Sequence, residues 1–361
     1  MKIILRTDSS SQIGTGHVMR CLTLADALRE QGAECEFVCR EHEGHLMDHI
    51  RSCGCEVQAL PKPSENASFT SDLAHAHWLG VDWQTDAAQT LEALARETFD
   101  WLIVDHYALD HSWESALRSS CKRIMAIDDL ADRQHDCDLL LDQNYGSSSE
   151  RYAGLVPAEC TQLHGPEFAL LKPLYAKRRA EQKIRSGKIE RVLIYFGGGA
   201  DPMNLTGMAL RAFQVPELMK IELDIVVGSG YAHKEELETV AGACGKTRIH
   251  TQLPDLSELM VNADLAIGAG GATTWERCCL GLPSMVISTA NNQLPACHAL
   301  AAEDAIKYLG HLNGVTSDTF TKSLLHLKSD PEQLDLYSRN CRRLVDGLGV
   351  GKVVEYLCGH N

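Results

Sequence analysis

His17 is the titratable side chain best placed for chemistry in the opening stretch Arg6-Thr7-Asp8-Ser9-Ser10-Ser11-Gln12-Ile13-Gly14-Thr15-Gly16-His17-Val18-Met19-Arg20. The apolar run Ile3 to Leu5 before it predicts a buried strand, and Val18, Met19, Leu22, Leu24, Ala25 and Leu28 after it predict a helix. The imidazole thus falls where strand hands over to helix, the edge at which open α/β sheets bind ligands. A histidine there can act as a general base. Gly14-Thr15-Gly16 forms the turn; a dinucleotide fingerprint would need a further glycine where Met19 stands, and a P-loop would need Gly-Lys-Ser/Thr, which is absent.

A second group of reactive types lies in Ile267-Gly268-Ala269-Gly270-Gly271-Ala272-Thr273-Thr274-Trp275-Glu276. A buried strand ending at Ile267 leads into a Gly270-Gly271 turn, where a ligand can approach bare backbone. Thr273 or Thr274 is expected to cap a helix that runs to Leu280 and ends at Gly281. Free N–H groups behind such a turn suit an anion, with phosphate the natural guest. Glu276, in the first helical turn, can accept two hydrogen bonds from a ribose diol, and the amides of Asn292 and Gln293 suit sugar hydroxyls. The turn Phe196 to Asn204 repeats the theme, so Gly198, Gly199 and Asn204 join the candidate phosphate contacts.

The elements that must position these residues alternate. Strands are expected at Lys2–Thr7, Cys35–Cys39, Glu56–Leu60, Trp101–His106, Arg123–Ile127 and Leu139–Asp142, then at Arg191–Phe196, Glu222–Val227, Arg248–Thr251, Leu265–Ile267 and Ser284–Ser288. Val/Ile/Leu-rich strands separated by helices predict parallel, doubly wound sheets, and eleven strands are many for one open sheet. The chain of 361 residues accommodates two domains. We expect an N-terminal domain over 1–170, a polar, charged helix and linker over 171–190, a second domain over 191–330, and C-terminal helices over 331–361; Ser64–Ala76 reads as an insertion. A net charge of −15 argues against nucleic acid or an anionic membrane surface as partner. Fourteen scattered cysteines without a C-x-x-C pair, and no apolar run of about 18 residues, read as a reduced cytosolic enzyme with no membrane insertion. His42, His45 and His49 share a helix face but lack a further ligand, so no metal is expected.

Taken together, Arg6 to Ser10, Ile13 to Arg20, Val104-Asp105-His106-Tyr107, Phe196-Gly197-Gly198, Gly268 to Glu276 and Asp346-Gly347 resemble the GT-B superfamily and, within it, the nucleotide-sugar hydrolases of pseudaminic acid biosynthesis. The Gly-Gly-x-x-Thr-x-x-Glu part is shared more widely, including with the N-acetylglucosaminyltransferase of peptidoglycan synthesis. The resemblance implies an α/β protein of GT-B type, with two Rossmann-like doubly wound parallel-sheet domains facing across a cleft. It implies UDP held mainly by the C-terminal domain and a helix after Pro331 crossing back to the first. It also implies metal- and cofactor-free inverting hydrolysis of a UDP-linked 2,4-diacetamido-2,4,6-trideoxy-altropyranose, within flagellin glycosylation. His17 would be the base, and Asp8 would orient it or bind a sugar hydroxyl. Arg6, Ser9, Gly16, Tyr107, Asn292 and Gln293 would contact the sugar; Gly198, Gly199, Asn204, Gly270, Gly271, Thr273, Thr274 and Glu276 would contact UDP. Two other readings stay open: an inverting glycosyltransferase with a UDP-sugar donor, and a hydrolase for a related UDP-diacetamido sugar.

Overall fold

Ile3, Leu5 and their neighbours on the odd-numbered side of strand β1 (Lys2–Thr7) pack under helix α1 (Gly16–Glu30), while Ile4 packs on the opposite face of the sheet. That two-sided burial is what a continuous apolar strand requires. The structure, a computed structural model, describes the whole chain except residues 65–72, 96, 183, 184, 186, 200, 229, 252, 360 and 361. Most of the expected insertion at Ser64–Ala76 therefore lies outside the described residues.

The chain divides into two compact units, Met1–Leu170 with Gly349–Asn361, and Leu171–Leu348. The first contains β1, β2 (Glu34–Arg40), β3 (Glu56–Leu60), β4 (Phe99–Asp105), β5 (Cys121–Ile127), β6 (Leu139–Asp142) and β7 (Thr161–His164). Its sheet order is β3-β2-β1-β4-β5-β6-β7, and each adjacent pair is parallel. The order reverses between β1 and β4, the position at which such sheets open a crevice. Helices α1, α2 (Met47–Ser52), α3 (Trp83–Ala93) and α4 (His111–Leu117) complete its two layers.

The second unit begins with α5 (Pro173–Glu181) and repeats the plan with β8 (Arg191–Tyr195), α6 (Leu205–Arg211), β9 (Glu222–Val227), α7 (Lys234–Gly242), β10 (Thr247–Thr251), α8 (Ser257–Asn262), β11 (Leu265–Ala269), α9 (Thr273–Cys279), β12 (Ser284–Ser288), α10 (Leu294–Ala302), β13 (Lys307–His311), α11 (Ser317–Lys328) and α12 (Pro331–Leu344). Its parallel sheet runs β10-β9-β8-β11-β12-β13, with its own reversal between β8 and β11.

Three expectations change. Strands β7 and β13, at sheet edges, are additional. The stretch 171–190 holds the expected helix but belongs to the second unit instead of linking the two. Its helix α5 buries Tyr175, and Arg179 donates 2.8 Å hydrogen bonds to the carbonyls of Cys279 and Arg342, which ties it into the second unit. The segment 331–361 does not return as one piece. Helix α12 buries Leu334, Tyr337 and Cys341 within the second unit, and only α13 (Gly349–Cys358) joins the first. Val350, Val353, Val354 and Leu357 of α13 are buried in the core that covers the α1 face, and Trp101 Nε1 donates to the Leu357 carbonyl at 3.0 Å. At about 1.5–3 kcal/mol for each fully buried aliphatic side chain, those contacts fix the helix firmly.

Candidate active site

Parallel pairing sets Thr7, the last residue of β1, opposite Asp105, the last residue of β4. Asp105 follows Trp101 and Ile103 on the face covered by α1. It therefore meets the first turn of that helix, where His17 Nδ1 lies 2.6 Å from Asp105 Oδ1. One turn further, Arg20 grips the same carboxylate with two hydrogen bonds of 2.6 Å, from Nε to Oδ2 and from Nη2 to Oδ1. Burial by itself would push the Asp105 carboxyl up, but the Arg20 charge and the hydrogen bonds from Arg20 and His17 outweigh it and hold the group far below the usual carboxylate range. An ionised carboxylate only accepts, so Nδ1 carries the proton and the lone pair sits on Nε2. That is the tautomer a general base needs.

The network continues outward. Arg20 Nη1 reaches Asp129 Oδ2 at 3.3 Å, and the Tyr107 hydroxyl donates a short hydrogen bond to Asp129 Oδ1. The Tyr107 ring stands edge-on to the His17 ring at 4.6 Å. Gly16 is exposed at the start of α1, with open space where a Cβ would project.

Other candidates of this unit lie elsewhere. Arg6 and Asp8 continue the even-numbered side of β1, which faces α3 and α4, not α1. Arg6 Nη1 bonds Asp8 at 2.6 Å and Nη2 bonds Asp86 at 2.8 Å; Arg40 Nη2 and Trp113 Nε1 join Asp86 at 2.6 Å and 2.9 Å. Arg6, Asp8, Arg40 and Asp86 are all buried. Arg6 therefore does not contact a sugar, and Asp8 does not orient His17; they form an internal ionic cluster. Ser9 is buried too, and its hydroxyl accepts the Leu46 N–H at 2.9 Å. His42 lies 3.6 Å from Asp8, and among the described residues no group of three or more His, Cys, Asp or Glu could hold a metal ion.

In the second unit the turn after β11 is tightly built. A Cβ on Gly270 would lie 2.4 Å from Cys297 Sγ, so a larger residue there would force that side chain to move. The Gly270 N–H is already spent on the Ile287 carbonyl at 3.0 Å. Ala272, not a threonine, is the residue before α9, and no side chain caps the helix there. Thr274 turns inward, its hydroxyl accepting from buried Arg277 Nη2 at 2.9 Å, while Thr273 opens the helix half-buried. Gln293 approaches Gly271, with Nε2 3.7 Å from where a Cβ would stand, and its Oε1 accepts from the Thr289 N–H at 2.8 Å. Asn292 lies beside it, half-buried, in the short turn Asn291–Gln293. Burial pushes the Glu276 carboxyl up to about 7 against the opposing effects of the Tyr175 hydroxyl and the Arg277 and Lys172 charges, and its Oε2 is buried without a hydrogen-bond partner. An orphaned acceptor of that kind fits a donor brought by a ligand, such as a diol.

The loop after β8 does not fit its expected role. Asp201 accepts the Leu205 and Thr206 N–H groups at 2.9 Å each. The Asn204 side chain is spent on the Gly207 N–H at 3.0 Å, the Tyr231 hydroxyl at 2.6 Å and Glu236 at 2.9 Å. A carboxylate already satisfies the start of α6 and would repel a diphosphate, so Asn204 is a helix cap. Gly198 and Gly199 are exposed, and a Cβ on Gly228 would lie 2.0 Å from the Gly198 carbonyl oxygen, which shows how closely the two loops approach.

Two doubly wound parallel-sheet units in one chain, each reversing at its first strand, make the GT-B fold. Residues 193–343 match the family described as glycosyltransferase family 28 C-terminal domain. The chain is 26% identical over 294 residues to UDP-2,4-diacetamido-2,4,6-trideoxy-beta-L-altropyranose hydrolase of Campylobacter jejuni, covering 81% of this chain and 93% of that protein. It is 30% identical over 195 residues to the spore coat polysaccharide biosynthesis protein SpsG of Bacillus subtilis, covering 54% of this chain and 57% of the relative. Among solved structures, Acinetobacter baumannii MurG superposes with a TM-score of 0.66 at 14% identity, covering 99% of both chains. Arabidopsis thaliana UGT89C1 complexed with UDP-L-rhamnose does so at 0.67 and 12% identity, again covering 99% of both. The resemblance read from the motifs thus holds in the fold and in sequence.

Proposed function

We propose that this protein hydrolyses a UDP-linked 2,4-diacetamido-2,4,6-trideoxy-altropyranose by one inverting displacement at C1. The observation that carries the reading is the Asp105–His17 pair, which leaves Nε2 as the proton acceptor. Water attacks C1 while His17 Nε2 takes its proton; the C1–O bond breaks, and the electron pair leaves with UDP. Asp105, held by Arg20, keeps the imidazole in that tautomer and stabilises the imidazolium as it forms, the arrangement that serves in Ser-His-Asp hydrolases. The second unit binds the nucleotide. The N–H groups of Gly271, Ala272 and Thr273 replace the wider set expected from sequence as diphosphate donors, and the Glu276 carboxylate accepts from the ribose.

The deciding experiment incubates the purified protein with the UDP-sugar, EDTA and no acceptor, following UDP and the anomeric carbon by NMR. Prompt release of UDP and of free sugar with inverted initial configuration is expected. UDP that binds but is not released until an alcohol acceptor is supplied would instead identify a glycosyltransferase, the reading favoured by the family 28 match.

Glu276→Ala is expected to weaken UDP binding by about tenfold or more, as loss of a charge-assisted pair of hydrogen bonds does, with kcat little changed. Because the Glu276 carboxyl titrates at about 7, the ionised form that accepts from a diol is lost as pH falls through that value. UDP affinity should therefore decline more steeply below pH ~7 in the wild type than in Glu276→Gln. Calorimetric titrations at pH ~6 and ~8 compare the two, and parallel pH slopes would remove Glu276 from the binding site.

A further inference from the structure

Trp78 sits in a short turn, Ala76–Trp78, between β3 and α3, outside every motif singled out by sequence. The fold brings its indole to the candidate catalytic histidine. The Trp78 and Tyr107 rings stack at 5.5 Å with an interplanar angle of 27°, and Trp78 meets the His17 ring at 6.3 Å, edge-on. His75 closes the group, 4.7 Å from Trp78 and 5.3 Å from Tyr107. Within this stack the exposures differ. Tyr107 is buried, anchored through its hydroxyl, whereas Trp78 is only half-buried and forms the outer layer. Tyr107 thus serves as a fixed backing for a flat apolar surface next to the imidazole.

An indole in such a position recognises the C–H-bearing side of a sugar ring and the methyl groups it carries, and has little affinity for a fully hydroxylated face. We infer that Trp78 is the platform for the sugar moiety, a specificity-determining residue that favours donors bearing deoxy and acetamido methyl groups. This rests on the reading of His17 as the group acting at C1, since a ring within 6.3 Å of that imidazole is placed for the sugar more than for the distal base. The half-exposure of a large aromatic side chain then has a physical account: it is covered when substrate is bound.

The test uses the full-length protein with Trp78→Ala and Trp78→Phe. With UDP-diacetamido-trideoxy-altropyranose as substrate, Trp78→Ala should raise KM roughly tenfold or more, as loss of a methyl-sized apolar contact or better does. It should change kcat much less and leave the Kd of UDP unaltered. Its preference for this donor over UDP-N-acetylglucosamine should fall by a similar factor, and Trp78→Phe should recover most of both losses. In parallel, saturation-transfer NMR on the free diacetamido sugar, with irradiation of the aromatic envelope, should mark the acetyl and C6 methyl protons in the wild type and in Trp78→Phe but not in Trp78→Ala. An unchanged KM and preference in Trp78→Ala would overturn the inference. So would weakened binding of UDP alone, which would place the uracil on the indole, and so would absence of methyl saturation in the wild type. If the wild type marks the methyl groups yet releases no UDP, hydrolysis fails and the platform stands.

Discussion

His17→Ala lowers kcat by about 10²–10⁴-fold, the usual worth of a positioned general base, while UDP binds as before. The nucleotide contacts proposed above all lie in the second unit, so removing the imidazole leaves them intact and the loss appears in kcat, not in KM. Asp105→Asn is expected to fall in the same range. An amide in that place no longer fixes the proton on Nδ1 and cannot stabilise the imidazolium, so the base is lost although His17 remains. The two changes are coupled through one hydrogen bond of 2.6 Å; the double mutant should therefore be little worse than either single one, as expected of residues acting as a unit. Single-turnover release of UDP measures all three. Near-full turnover by His17→Ala would end the mechanism.

The second large effect concerns folding. Asp86→Ala is expected to cost about 3–5 kcal/mol, because it strands two buried guanidinium groups, those of Arg6 and Arg40, with one carboxylate between them. The midpoint of urea denaturation, followed by tryptophan fluorescence, reports it, and a loss below about 1 kcal/mol would contradict the expected cost. Burial pushes the carboxyls of Asp8 and Asp86 up, but the neighbouring arginines outweigh it and both are held below the ordinary range. For a depressed carboxyl the stabilisation is complete above the unfolded value of about 3.9 and is lost as pH falls through the folded value. The wild type should accordingly lose stability on acidification below pH ~4, and Asp86→Ala should lose less of it over the same interval.

Much of the architecture was legible because it depends on local patterns. Each of the eleven expected strands forms, since runs such as Leu102-Ile103-Val104 and Met285-Val286-Ile287 leave few alternatives to a strand covered on both faces. Strands β7 and β13 were not legible. Thr161-Gln162-Leu163-His164 has one buried apolar residue, and its extended form follows from pairing with β6 at the sheet edge, a tertiary cause that no local pattern records. The site shows the same division. His17 and Tyr107 meet edge-on, but nearness in sequence misled for Asp8. Alternation along β1 sends Arg6 and Asp8 to the far face, while Asp105, remote in sequence, arrives through the pairing of β1 with β4. The parity of Trp101, Ile103 and Asp105 was the available signal, and it becomes readable only once the strand order is known. Trp78 gave no signal, because its role depends on a turn that brings an isolated aromatic residue onto another.

Helix α13 gives the chain an unusual order of completion during synthesis. Everything else in the first unit leaves the ribosome early, yet the groove that takes Val350, Val353, Val354 and Leu357, and the Trp101 indole that bonds the Leu357 carbonyl, stay uncovered until the whole second unit has been translated. A nascent chain of this design cannot mature unit by unit from its N-terminus, the ordinary sequence for two-domain proteins. The half made first is the half finished last, and in the interval it presents an apolar face of the kind that chaperones hold.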